Sequence, residues 1–118
     1  VLVFKLGGTA TLPAPVAADT IPPATRPTGD AAQLATGEAL YHERCSNCHG
    51  GAGVGAGVLP DLRHSLLARQ DTLHDVVREG ALAANGMPNF SKVLTADDVK
   101  ASQQYILQQG WLEQNRPK

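Results

Sequence analysis

ERCSNCHGGAG, residues 43–53, holds both cysteines of this 118-residue chain, Cys45 and Cys48, and sets His49 directly behind them. Two thiols separated by two residues, with an imidazole next to the second, have three chemical readings. A redox Cys-x-x-Cys pair belongs between a strand and a helix of an α/β pattern. A structural zinc ion wants four ligands, usually in two paired spacings. His42, Cys45, Cys48 and His49 can be forced into one set, but the sequence offers no second, distant pair. Cys-x-x-Cys-His is also the attachment signal for c-type haem.

The third reading has a mechanical reason. Haem carries two vinyl groups on neighbouring edges of its ring, and each can take a thiol. A three-residue offset at a helical end puts both sulfurs on one side, and the adjacent histidine then aims its imidazole at the iron. The surroundings favour this reading, because a helical pattern precedes the motif and no α/β alternation is visible.

Iron held by His49 has a second axial position. The chain's one methionine, Met87, lies in Asn85-Gly86-Met87-Pro88, a loop expected to be stiff near Pro88. A lone methionine more often fills a gap in a core. Beside a haem motif, in a loop between helices, Met87 is the expected sixth ligand. Thioether ligation favours reduced iron and raises its potential. His42, His64 and His74 are the rivals. His42 is expected on the outer side of the attachment helix, His64 near the haem edge, and His74 in a helix with Asp75 and Arg78, facing solvent.

The rest of the chain reads as helix and loop behind a proline-rich lead. Residues 1–6 (VLVFKL) suggest a lone strand, with Gly7-Gly8 as a turn. Residues 9–29 hold Pro13, Pro15, Pro22, Pro23 and Pro27 without helical or strand period, so a semi-rigid linker is expected. A tail packed on the domain is the alternative. Asp30 can cap a helix to about Asn47, with Leu34, Gly37, Tyr41 and Cys45 on one face. Gly37 suggests a close helix crossing. Residues 50–60 form a glycine-rich loop, whose glycines let the backbone pass close to a flat ring.

Asp61 is expected to cap a short helical piece through Leu67. A helix from Asp71 or Thr72 carries Leu73, Val76 and Val77 and stops at Gly80. Residues 81–94 make the Met87 loop. Thr95 with Asp98 resembles a capping box. It opens a last helix to about Gln109, with Val99, Ser102, Tyr105 and Ile106 inward and Gln103, Gln104 and Gln108 outward, ended by Gly110. Residues 30–118 are therefore read as one domain and residues 1–29 as strand remnant and linker.

Composition narrows the function. Net charge is −1 with neutral histidines, which argues against a broad nucleic-acid surface. No apolar run approaches membrane-spanning length. Aromatic content is only 4%, so an apolar cofactor would supply missing core to a small domain. VLVFKLGG is too short for a signal-peptide core and no Met precedes it, so the chain is read as processed or excised from something longer. Gly51–Ala56 formally matches a dinucleotide-loop pattern but follows no strand. Asn89-Phe90-Ser91 matches a glycosylation sequon and is assigned no role.

At GEALYHERCSNCHG (37–50), VLPDL (58–62), GMPNF (86–90) and LTADDVKASQQYIL (94–107) the chain resembles class I cytochromes c. The resemblance implies an all-α fold packed around one covalent haem c, with His49 and Met87 as iron ligands. It implies that Gly37 and Tyr41 cross the last helix near Tyr105. Pro60 would offer its carbonyl to His49 Nδ1, and Leu62, Leu66, Leu73, Val77, Leu82 and Phe90 would wall the haem. Arg63 is the candidate partner for a haem propionate.

VLVFKLGGTATLP is similar to the last propeller strand and exit segment of quinohaemoprotein alcohol dehydrogenases, which join a pyrroloquinoline-quinone (PQQ) propeller to a cytochrome c domain. That resemblance implies a periplasmic carrier. Its electron donor would be the PQQ dehydrogenase domain, and its acceptor an external redox protein, quinone or electrode. No PQQ is expected in this stretch itself. The alternatives are a standalone periplasmic shuttle and a haem sensor with an open sixth site.

Overall fold

The computed structural model describes residues 5–9, 11, 14, 20–57 and 59–117. Helix α1 (Ala31–Arg44) starts where the Asp30 carboxylate accepts the amide of Gln33 at 2.8 Å. It breaks at Cys45, and a single turn, α2 (Ser46–His49), follows. The helix expected to run through Asn47 is thus two pieces with Cys45 at the joint. Three-residue 3-10 turns occupy Gly51–Gly53, Gly55–Gly57, Leu62–His64, Leu67–Arg69 and Ala83–Asn85. Helix α3 (Thr72–His74) widens directly into a π-helical turn, Asp75–Glu79, and Gly80 stops it at φ 73°. Helix α4 (Ala96–Gln114) opens with the full capping box between Thr95 and Asp98. Among the described residues there is no strand. The strand expected at 1–6 lies mostly outside those residues; Lys5 and Gly8 close a turn at 3.0 Å.

α1 and α4 pack most extensively, and Gly37 permits it. A Cβ at Gly37 would sit 2.0 Å from the carbonyl oxygen of Ala101, so only glycine lets the backbones approach this closely. The crossing buries Tyr41 completely and sets its ring 5.2 Å from that of Tyr105, with Ala68 and Ile106 in the same cluster. Leu94 and Val99, both 4% exposed, flank the Thr95 cap as a hydrophobic staple.

Three expectations for the chain's second half need correction. α4 does not stop at Gly110 but runs on to Gln114. Gly110 is a notch: a Cβ there would lie 2.8 Å from the carbonyl oxygen of Arg63, which passes against the helix. Gln104, expected outward, is buried, and its Oε1 accepts the amides of Thr28 at 2.7 Å and Gly29 at 2.9 Å. The helical piece after Asp61 ends at His64 and resumes at Leu67, broken by extended backbone at Ser65.

The described part of the proline-rich lead also packs on the domain instead of standing clear of it. Ala24 donates its amide to Gln114 Oε1 at 2.8 Å, and Gln114 Nε2 donates to the Pro22 carbonyl at 3.1 Å. Arg69 donates to the carbonyls of Pro22 and Pro23. The Arg26 guanidinium lies 5.9 Å from the centre of the Trp111 ring. Pro13 and Pro15, assigned to the linker, lie outside the described residues.

Replacing Gly37 with Ala forces α1 off the Ala101 carbonyl. The expected result is a loss of about 3 kcal/mol in a denaturant titration, with helix content nearly unchanged in the far-ultraviolet dichroism.

Candidate haem site

Cys45 sits at the joint between α1 and α2, Cys48 lies within α2, and His49 closes it. All three line one cavity of about 600 Å³, inside the range of about 300–1,000 Å³ usual for ligand sites. Pro60 and Leu62 border it from the loop around Asp61. Leu73, Val76 and Val77 come from α3 and the π-helical turn, whose extra residue per turn lets two adjacent valines share one wall. Leu82, Met87 and Pro88 come from the next loop, and Leu94, Val99 and Ile106 from α4 and its entry. No Asp, Glu, Lys or Arg is among the described lining residues.

Local backbone geometry delivers Met87. The Ala83–Asn85 turn ends at Gly86, whose φ of 92° is open to glycine and strained for other residues. The Met87 amide then donates to the Leu82 carbonyl at 3.2 Å, which closes the loop and brings Leu82 and Met87 to the same cavity.

The rival ligands lie elsewhere. His64 Nε2 is 2.7 Å from Glu113 Oε2. His74 is 3.4 Å from Arg78, and His42 is exposed, with Nε2 3.3 Å from the Tyr105 hydroxyl. None of the three borders the cavity.

Burial lowers the pKa of His49 from its ordinary value, which favours the neutral imidazole that a metal requires. Its Nδ1 is buried without a hydrogen-bond partner among the described residues, so the bond expected from Pro60 is not formed. The Pro60 carbonyl packs on Gly55 instead, where a Cβ would come within 2.8 Å of its oxygen. That contact is also a reason for glycine in the 50–60 loop. Its described glycines do not border the cavity, contrary to the expectation that they give backbone clearance for a flat ring.

Burial, then the charge of Cys48, pushes the Cys45 thiol up to about 11. A redox dithiol needs the opposite shift, toward thiolate. Both cysteines are free, and no group of three or more His, Cys, Asp or Glu among the described residues is arranged to hold a metal ion. The zinc alternative therefore finds no ligand set. Two sulfurs, a neutral imidazole and a thioether around an uncharged apolar cavity fit a covalently attached haem.

Arg63, Leu66 and Phe90 do not border the cavity. Arg63 gives Nε and Nη2 to Asp61 at 3.0 and 2.6 Å and Nη1 to Glu113 at 3.1 Å, so its donors are taken by carboxylates of the protein. Leu66 is 60% exposed and Leu67 lines the wall in its place. Phe90 is half-buried, its amide donating to the Val77 carbonyl at 2.8 Å. Leu94, missed in the sequence, was findable from the staple position before the Thr95 cap. Tyr41 also borders the cavity; burial first, then the charge of Cys45, raises its hydroxyl to about 12 and keeps it protonated.

A family model described as cytochrome c oxidase, cbb3-type, subunit III, matches residues 32–106. The chain belongs to the cytochrome c family. A cytochrome c domain carries covalently bound haem c and transfers electrons.

The dehydrogenase subunit of alcohol dehydrogenase (quinone) from Acetobacter aceti is 37% identical over 91% of this chain and 15% of its own length. Quinohemoprotein alcohol dehydrogenase ADH IIB from Pseudomonas putida is 36% identical over 90% of this chain and 16% of its own. The solved structure of quinohemoprotein alcohol dehydrogenase ADHIIG from Pseudomonas putida HK5 superposes with a TM-score of 0.73 at 34% identity, covering 95% of this chain and 16% of that one. The chain thus spans about 15% of the length of the curated relatives it matches. Among the described residues no helix is long and apolar enough to cross a membrane.

Desolvation acts to raise the Asp61 carboxyl, but hydrogen bonds and charge from Arg63, with charge from His64, outweigh it and hold the pKa below the ordinary value. A folded pKa below the unfolded one stabilises the protein above the usual carboxylate range, and that stability is lost as pH falls through the folded pKa. Asp61→Asn is expected to cost about 1–3 kcal/mol at neutral pH and to flatten the acid limb of stability against pH, measured by denaturant titration from neutral to strongly acid buffer.

Proposed function

We propose that this chain is the electron-carrying haem c module of a PQQ-dependent quinohaemoprotein alcohol dehydrogenase. Cys45 and Cys48 are its thioether anchors, and His49 and Met87 its axial ligands. The observation that carries this reading is the convergence of those four side chains on one uncharged cavity, three from the α1–α2 joint and one from a loop much later in the chain. Names and coverage of the relatives support the assignment to a dehydrogenase.

Bound haem supplies a one-electron iron couple whose potential thioether ligation raises. His49, kept neutral by burial, gives a nitrogen donor. Met87 would supply a thioether donor from the later loop and so leave no place for oxygen or carbon monoxide. The leucine and valine walls would surround the haem with apolar groups, so little solvent would have to reorganise when charge moves.

Residues 30–118 form the carrier domain, and residues 1–29 connect it to the dehydrogenase that donates electrons. An external redox protein, quinone or electrode accepts them. The module works in the periplasm, where the thioether bonds are made. No PQQ contact is assigned to its own residues.

Purified, matured protein is expected to keep its colour through acid acetone. Cys45→Ala or Cys48→Ala leaves one thioether, seen as a red-shifted pyridine haemochrome band. Reduced wild-type protein is expected not to bind carbon monoxide, and Met87→Ala to bind it rapidly. Carbon monoxide binding by the wild type, or none by Met87→Ala, rules out the assigned sixth ligand.

A further inference from the structure

His49 is held by its backbone. Its Nδ1 has no partner among the described residues, whereas its amide donates to the Cys45 carbonyl at 2.9 Å. The two peptides that follow are each held: the first through the Gly50 amide, the second through the Gly50 carbonyl, which also accepts the Gly53 amide at 3.4 Å. The Gly50 amide donates to the Ser46 carbonyl at 2.8 Å, and the Gly50 carbonyl accepts the Tyr41 hydroxyl at 2.8 Å. The first bond closes α2; the second ties α2's exit to α1, one turn before the cysteines. Gly50 also turns the chain with φ 73° and ψ 168°, so its carbonyl direction is not dictated by helix geometry.

Tyr41 is itself immobile. It is 0% exposed, tilted against Tyr105 at 5.2 Å and edge-on to His42 at 5.8 Å. Tyr41 borders the cavity, and its hydroxyl reaches the loop at Gly50. Packing alone needs the ring; the hydroxyl has a separate task.

We infer that the Tyr41 hydroxyl is a positioning group for the proximal ligand: by fixing the Gly50 carbonyl it sets the rotation of the His49 imidazole toward the iron. The inference rests on His49 being that ligand. Tyr41 touches neither the iron nor a redox partner in this role. It acts through the Gly50 carbonyl and the Gly50 backbone that joins it to His49, and the affected property is the orientation of the ring plane.

The test is Tyr41→Phe in the matured holoprotein, with Tyr105→Phe as control. The Tyr105 hydroxyl faces His42 and has no bond to the haem-binding loop among the described residues, so the control removes a neighbouring hydroxyl from the same aromatic cluster. The readouts are the hyperfine-shifted haem-methyl resonances of the oxidised protein, which follow the axial-ring plane, and the midpoint potential. Tyr41→Phe is expected to keep covalent haem, to change the order or spread of the methyl resonances, and to shift the potential. Tyr105→Phe is expected to leave both as in wild type. A merely structural role would lower the melting temperature and leave the methyl pattern in place, and that result overturns the inference. So does an equal change in both variants.

If Tyr41→Phe does not mature, p-aminophenylalanine at position 41 restores a donor on the same ring. Recovery of haem with the wild-type methyl pattern supports the inference, and recovery with an altered pattern, or no recovery, overturns it. A wild-type spectrum without low-spin His–Met character removes the ligand assignment first, and the inference with it. A wild type with that character and an unchanged Tyr41→Phe removes the inference alone.

Discussion

Everything in this structure depends on how closely α1 and α4 cross. At Gly37 the two backbones meet where a single added carbon would fall 2.0 Å from the Ala101 carbonyl. That approach seats Tyr41 on Tyr105 and Ile106 and brings the Cys45 end of α1 to the core. At the other end of α4, Gly110 takes the Arg63 backbone in the same way. Each of the two helices thus carries one notch: Gly37 on α1 admits the backbone of α4, and Gly110 on α4 admits the loop whose Pro60 and Leu62 form a wall of the cavity. Close-packed interiors transmit such constraints with little slack.

Much of the candidate site could be read from the sequence because its chemistry is local. Cys45, Cys48 and His49 need only a helical turn to converge, and their spacing says so. The caps at Asp30, Asp61 and Thr95 are likewise short-range, and each appears in the structure with its side chain bonded to the expected turn. Met87 required a further step, since its neighbours identify a stiff loop but not where that loop goes. What the local pattern could not reveal was decided by distant partners. Gln104 reads as a solvent-facing residue on a helix, and it is buried because Thr28 and Gly29 bring it their amides. Gly110 reads as a helix stop and is a notch for Arg63. Arg63 reads as free to bind an anion, and Glu113, far along the chain, occupies it. Leu66 and Leu67 differ by one residue in register, which the extended backbone at Ser65 sets.

The charges are sorted by the same architecture. The cavity border is free of ionised side chains among the described residues, while Asp61, Arg63, His64 and Glu113 gather just outside it, between the loop and α4. The cluster fastens the loop to the helix without placing a charge in the cavity wall. Partly exposed ion pairs contribute modestly to stability, so their main effect is on where the loop sits.

The bonds that bind residues 22–29 to α4 and Arg69 also change how reach is measured. A proline-rich stretch is commonly treated as a spacer whose whole contour is free to extend. Here the part nearest the domain is already laid down on its surface. Any gap between this domain and a neighbour upstream must be bridged from Pro22, not from Asp30. In polyproline geometry those eight residues are about 25 Å of span. The pivot for swinging the domain therefore lies at Pro22, and the haem-bearing body and its leading segment turn as one.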